Sequence, residues 1–342
     1  MNKLTKIGAS ALCGSLAAIS AANAGDLTVT GGADMTWTSI EGASTGNPIG
    51  IGSNMTFAGN GELENGWTVD LSIALTNAAA YSNTNVTIGV PGVGDIRIDQ
   101  GTSGTGIQRM DDMTPTVWEE ADGAGVSAGI TKIMGTSAGA TVQYEPSEDM
   151  GIPAGLALVA AWSPDADGGG STNDKASGGG ASGSLGSGWD LTATATSDLH
   201  GVDGLTVYGG LSQVDQYQNA AAINSDSKEQ IIGVKYAMGG FTVGWQTSDD
   251  ETGRATTNTE YENTSYSVTF QVNDDLSIGY AHIESDVSST TNVTAEADSL
   301  QAAYTMGGAS FRIAEVDVEN QAYSTAATAD VEGTVISLGL AF

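Results

Sequence analysis

The chain has 342 residues, 48 of them glycine and six proline, and sets ten Lys and Arg against 41 Asp and Glu for a formal charge of −31. That balance argues against a nucleic-acid partner, which needs clustered cations to neutralise phosphate. A composition rich in Gly and poor in Leu and Lys, even along its whole length, argues equally against a helical protein or two domains joined by a linker.

Residues 1–24 read as an export signal. Lys3 and Lys6 form a basic start, 7–19 an apolar run, and Ala22-Asn23-Ala24 a small-x-small cleavage site. The run is too short for the ~20 residues that a membrane-spanning helix needs. The single cysteine, Cys13, follows Leu12, where a lipoprotein signal wants a small residue. The expected mature domain is therefore 25–342, a single β domain. Cleavage removes two of the ten cations and none of the 41 acids, which leaves a formal charge of −33. Without cysteine no disulfide can staple an exported scaffold, so stability must come from a core or from a closed hydrogen-bonded sheet.

From residue 26 onward the chain alternates with period two, and its polar phase is small or hydroxylated. Leu27, Val29, Met35 and Trp37 oppose Thr28, Thr30, Asp34 and Thr36; Trp67, Val69, Leu71, Ile73 and Leu75 oppose Thr68, Asp70, Ser72, Ala74 and Thr76. Phe241, Val243 and Trp245 oppose Thr242, Gly244 and Gln246, and the last run sets Ile336, Leu338, Leu340 and Phe342 against Ser337, Gly339 and Ala341. Such runs are strands with one apolar and one wet face. Sixteen are expected, at 26–38, 50–59, 66–76, 85–90, 95–100, 138–145, 154–162, 189–197, 205–214, 228–238, 241–248, 261–271, 276–285, 296–306, 309–318 and 329–342. Counting 125–133 and 178–186 as well would give eighteen, but would break the alternation of connections. Short turns such as Gly239-Gly240, Asn273-Asp274-Asp275 and Gly307-Gly308 alternate with long polar loops such as 163–188, 215–227, 249–260 and 286–295. A soluble sandwich and a membrane barrel share the face pattern. An even strand number with short turns at one rim and long loops at the other is the pattern of the outer-membrane barrel, and closure leaves no edge to lie unpaired in hydrocarbon.

Few residues suggest other chemistry. Asp165-Ala166-Asp167-Gly168-Gly169 opens like a calcium loop, yet Ala176 stands where the bidentate Glu belongs, so a weak loop-bound divalent cation is the most it supports and no cofactor is expected. His200 and His282 are too few and too far apart for zinc. No nucleophile-base set, phosphate loop or dinucleotide fingerprint stands in the right context, so no enzyme is expected.

Three segments carry a resemblance: the start Gly25-Asp26-Leu27-Thr28-Val29, the hairpin from Met55-Thr56-Phe57-Ala58-Gly59 to Leu63-Glu64-Asn65-Gly66-Trp67, and the terminal strand ending in Phe342. Together with the export signal and the strand count, they make the chain similar to Gram-negative general porins, in particular the sixteen-stranded trimeric porins of alphaproteobacterial type. The likeness covers essentially the whole mature chain as a pattern, and its final aromatic resembles the signal by which the barrel-assembly machinery recognises its clients.

The resemblance implies a transmembrane antiparallel β-barrel in the outer membrane of a Gram-negative bacterium. It would contact lipid and lipopolysaccharide, associate as a homotrimer and pass small hydrophilic solutes and ions passively. It also implies that the loop after the fifth strand, 101–137, folds inward and narrows the pore. That loop carries Arg109, Asp111, Asp112, Glu119, Glu120 and Asp122, with Pro115 and Trp118 between them. Strand phase adds Arg97 and Asp99, inward if Ile96 and Ile98 face lipid, at the root of the loop; a plain wall salt bridge is the competing reading of that pair. Acids outnumber bases in this set, which gives the expectation of a cation-preferring constriction, although the arginine cluster that general porins often place on the facing wall is missing. Trp37, Trp162 and Trp189 near loop-side strand ends, with Trp67, Phe241, Phe311 and Phe342 near turn-side ends, are candidates for two aromatic girdles. The alternative function is an exported soluble β-sandwich that binds glycans or calcium.

Overall fold

The computed structural model describes residues 24–41, 47–77, 80–100, 104–137, 139–166, 185–216, 223–255, 258–289 and 292–341. The signal region up to Asn23, the calcium-like run beyond Ala166 and Phe342 lie outside the described residues.

Sixteen strands follow in chain order: β1 Ala24–Ile40, β2 Ile49–Glu62, β3 Thr68–Thr76, β4 Ala80–Val90, β5 Gly94–Gln100, β6 Ala140–Pro146, β7 Leu156–Ser163, β8 Leu185–Ala195, β9 Leu205–Gln216, β10 Ser227–Met238, β11 Phe241–Glu251, β12 Glu260–Gln271, β13 Leu276–Ser288, β14 Val293–Met306, β15 Ala309–Glu319 and β16 Val331–Ala341. Each pairs antiparallel with its neighbours in sequence, and β1 pairs with β16, so one sheet closes into a barrel rather than two sheets facing each other. All sixteen expected strands are present, shifted mostly by a few residues at their ends. Segment 125–133, the seventeenth candidate, is not a strand but part of the loop after β5. β11 runs on to Glu251 and β12 begins at Glu260, so acids expected in the loop 249–260 stand on the barrel wall instead.

Turn chemistry sets the hairpins. Gly239 and Gly307 open two-residue turns with φ of +60°, a left-handed conformation that glycine adopts without strain. The outer face is apolar along β1–β3, where Leu27, Val29, Ile51 and Leu71 are exposed. The inner face there carries hydroxyls and amides. On the loop-side half of β13–β16 the phase reverses. Ile283, Ala297, Ala314, Val316, Val318 and Val335 point inward and form a buried cluster with Ala121, Ala124, Val126 and Ala128 of the loop after β5. Glu315, Asp317 and Glu319 then take the outer face of β15.

Candidate functional site

The loop after β5 is held to the inner wall by hydrogen bonds along its length. It begins with a 3-10 turn, Gly106–Met110, whose Ile107 N–H donates to Asp190 on β8 at 3.1 Å. Farther along, Gln246 on β11 donates to the Asp111 carbonyl. Trp118 and Glu119 N–H both donate to Gln301 Oε1 on β14, at 3.0 and 3.2 Å, and Gln301 Nε2 donates back to the Glu119 carbonyl at 2.7 Å. Asn263 on β12 donates to the Thr131 carbonyl at 3.0 Å. The loop thus lies across β8–β16. Inward residues of β2 and β4, such as Asn54, Thr56, Asn83 and Asn85, keep partial or full exposure to the lumen. A cavity of 640 Å³ opens where the loop faces β1 and β2, and Asp34, Asn54, Glu119 and Arg312 are among its lining residues.

Of the charged residues expected at the constriction, the loop acids Asp111, Asp112, Glu119, Glu120 and Asp122 are brought together, with one unexpected member, Lys132. Lys132 of the loop donates to Glu120, with Asp122 Oδ1 at 3.3 Å and Asp112 Oδ1 at 3.5 Å. Burial pushes the Asp111 carboxyl up to about 7, helped by the charge of Asp112 beside it. Burial likewise raises Asp122 to about 6 and moves Glu119 upward. Both follow the rule that taking a carboxylate from water disfavours its charged form. Arg109 does not face this cluster; it pairs with Glu145 on β6 at 2.9 Å. Arg97 pairs with Asp99 at 2.6 Å, and Asn83 donates to the same Asp99 at 3.3 Å. Asp99 is buried while Arg97 stays partly exposed, so the wall salt bridge exists and still offers a guanidinium to the lumen. Arg312 on β15 pairs with Asp34 on β1 at 3.0 Å and sits 5.1 Å from the Trp118 ring centre, a cation–π contact that ties the loop to the wall.

Lys132 escaped the sequence reading because it stands between Ile130 and Ile133, where it resembles one residue of an amphipathic strand. Its spacing from the acids at 111–122 was the signal that could have found it. Gln301, Asp190 and Glu229 gave no signal beyond their inward strand phase.

The candidate girdle residues that the structure describes fall into two sets on the outer face. Trp37, Trp162 and Trp189 are exposed near the loop-side ends of β1, β7 and β8, and Trp162 pairs with Trp189 across the ladder. Trp67, Phe241 and Phe311 are exposed next to turns, with Phe241 stacked on Phe270 at 4.3 Å. Trp245 and Tyr266, exposed on the apolar faces of β11 and β12, were not among the girdle candidates.

A family model described as Gram-negative porin matches residues 8–342. The chain belongs to the Gram-negative porin family. It is accordingly a pore-forming barrel of the outer membrane. Several solved porins share the fold of this porin. OmpF of Salmonella typhi, in complex with daunomycin, is 13% identical, with 92% of this chain and 97% of that one covered at a TM-score of 0.69. An anion-selective porin from Comamonas acidovorans is 12% identical, with 93% and 99% covered at 0.64. A loop L8 deletion mutant of OmpT from Vibrio cholerae is 12% identical, with 93% and 99% covered at 0.64. No curated protein sequence matches the porin significantly.

Proposed function

We propose that the loop 101–137 is the constriction of this porin and that the pore passes small hydrophilic solutes with a preference for cations. The observation that carries the reading is the charge ledger of the loop and the wall around it. Eight carboxylates, Asp34, Asp99, Asp111, Asp112, Glu119, Glu120, Asp122 and Glu145, stand against four cations, Arg97, Arg109, Lys132 and Arg312, and each cation is already paired with a carboxylate. Unpaired acids at a narrow point favour cations, as rings of acidic side chains do in other channels. The fold by itself favours neither sign, since the similar Comamonas acidovorans porin is anion-selective.

Reversal potentials across a planar bilayer in a KCl gradient test this directly. The expected sign is that of potassium preference, and neutralising Asp111, Asp112, Glu119 and Glu120 together should move the potential toward chloride. A parent pore that prefers chloride, or a quadruple variant that behaves like the parent, removes the loop from the constriction.

The exposed aromatic sets support two interfacial girdles, Trp37, Trp162 and Trp189 at the loop side and Trp67, Phe241 and Phe311 at the turn side, to which the alternation of the sequence adds Phe342 as a candidate. Assembly as a homotrimer and removal of residues 1–24 extend the same reading, with channel activity rather than catalysis as the role. A heat-modifiable oligomer in detergent, starting at Gly25 by N-terminal sequencing, is the expected product.

A further inference from the structure

We propose that Asp190 is the positioning residue of the constriction, a clamp that closes the neck of the loop by holding both of its limbs on one carboxylate. The proposal rests on the reading of the loop as the constriction and concerns what keeps it still. Asp190 lies on the inner face of β8, fully buried, opposite Ser212 of β9. Its Oδ2 accepts from Ile107 N–H of the outgoing limb at 3.1 Å, and from Thr136 N–H and Oγ1 of the returning limb at 3.2 and 2.7 Å. Two wall neighbours complete the neck. Gln143 on β6 accepts from Gly106 N–H at 3.1 Å, and Glu229 on β10 accepts from Met134 N–H at 3.2 Å and Gly135 N–H at 2.6 Å. The backbone N–H groups of 106, 107, 134, 135 and 136 therefore all end on wall side chains.

The glycines at the neck give an independent sign that the carboxylate is built in. Gly106 and Gly135 both have φ of +54°. A Cβ at Gly106 would overlap the Asp190 carboxylate, and one at Gly135 would lie 2.7 Å from its Oδ1. Any side chain at either position would push the limb off the clamp, and the left-handed φ adds its own cost to a residue other than glycine. Removing the acceptor leaves buried N–H donors without partners, a cost that a moving loop relieves by swinging into the lumen.

The test uses the mature porin from Gly25, which has no cysteine of its own, with a nitroxide attached at Thr116→Cys, an exposed position of the loop before Trp118, and single-channel recording in parallel. Asp190→Ala should increase label mobility and raise open-channel current noise severalfold, whereas Asp190→Asn, which keeps an acceptor oxygen, should stay close to the parent in both. Equal heat-modifiability of the three proteins separates loop release from loss of the barrel. A rigid label and a quiet channel in Asp190→Ala overturn the clamp. A mobile label with an unchanged current upholds the clamp and overturns the constriction instead. If Asp190→Ala does not assemble, Thr136→Val, which deletes only the hydroxyl donor, should give a smaller rise in mobility, and no rise there overturns the proposal.

Discussion

The wall of β1–β3 and the loop-side half of β13–β16 belong to one sheet, follow the same period of two, and put opposite chemistry on the same face. On β1, Leu27, Val29, Met35 and Trp37 point out and Thr28, Asp34 and Thr36 point in. On β15 that order holds through Phe311, Arg312 and Ile313, then reverses, so that Ala314, Val316 and Val318 are buried inside and Glu315, Asp317 and Glu319 stand outside. The difference lies in what faces each wall. β1–β3 meet water inside, while β13–β16 meet the alanines and valine of the inward loop. Outside, Asp298 pairs with Asp317 and Glu296 with Glu319 directly across the ladder. Like charges so placed repel and are tolerable only where water screens them. At ~3.4 Å per residue and a tilt of ~40°, the span from Leu27 to Trp37 rises about 26 Å, whereas Phe311 to Glu315 rises about 10 Å. The apolar belt is therefore tall on one side of the barrel and low on the other.

The comparison breaks most visibly if a charge is placed on the inner face of each wall. Val316→Asp buries a carboxylate in the cluster between loop and wall, and should cost on the order of 3 kcal/mol or more and free the loop. Thr56→Asp on the open inner face of β2 should leave stability nearly unchanged. Equal midpoints for the two variants in chemical denaturation from lipid vesicles would mean that the loop does not pack as described.

The outer faces supply a second, smaller contrast. Leu71→Arg on the exposed apolar face of β3 should destabilise by about 2–4 kcal/mol, and Asp317→Arg on the acidic face of β15 by less than about 1 kcal/mol. The same refolding assay checks both. A similar penalty at the two sites would place Asp317 at the depth of the acyl chains.

The smallest expected effect concerns protons on the loop. The Asp111 and Asp122 carboxyls, raised by burial to about 7 and about 6, are neutral at pH 5 and charged at pH 8. Two negative charges thus appear over that range, so potassium preference should grow with rising pH. Because the docked loop holds these protons more tightly than an unfolded chain, whose carboxyls titrate near 4, its docking is favoured fully below about pH 4 and weakens as the pH rises through about 7. Reversal potentials taken from pH 5 to pH 8 read the first effect, and Asp111→Asn should flatten its upper part.

The strand frame was legible in the sequence because period two and glycine turns are local signals, and each element is set by residues close to it. The face inversion was not. Ala314-Glu315-Val316-Asp317-Val318-Glu319 announces a strand, but which side is wet depends on Val126 and its neighbours, nearly two hundred residues earlier. The site was half legible for the same reason. The acids of the loop stood out by composition, whereas the pairing of Arg109 with Glu145 and of Lys132 with Glu120 depends on how the loop lies against the wall.

Fifteen of the sixteen ladders join strands that follow one another in the chain, and the remaining one is the seam between β1 and β16, from Gly32 opposite Ala341 to Ile40 opposite Gly333. Hairpins zip quickly because little chain must be gathered, but the seam brings together segments some three hundred residues apart, and the entropy of that closure must be met before any bond repays it. Until then the sheet has two raw edges whose N–H and C=O groups no hydrocarbon can satisfy. β16 is thus the strand that seals the first, and a chain cut short anywhere before Val331 has an open slot in its wall however well the rest is folded.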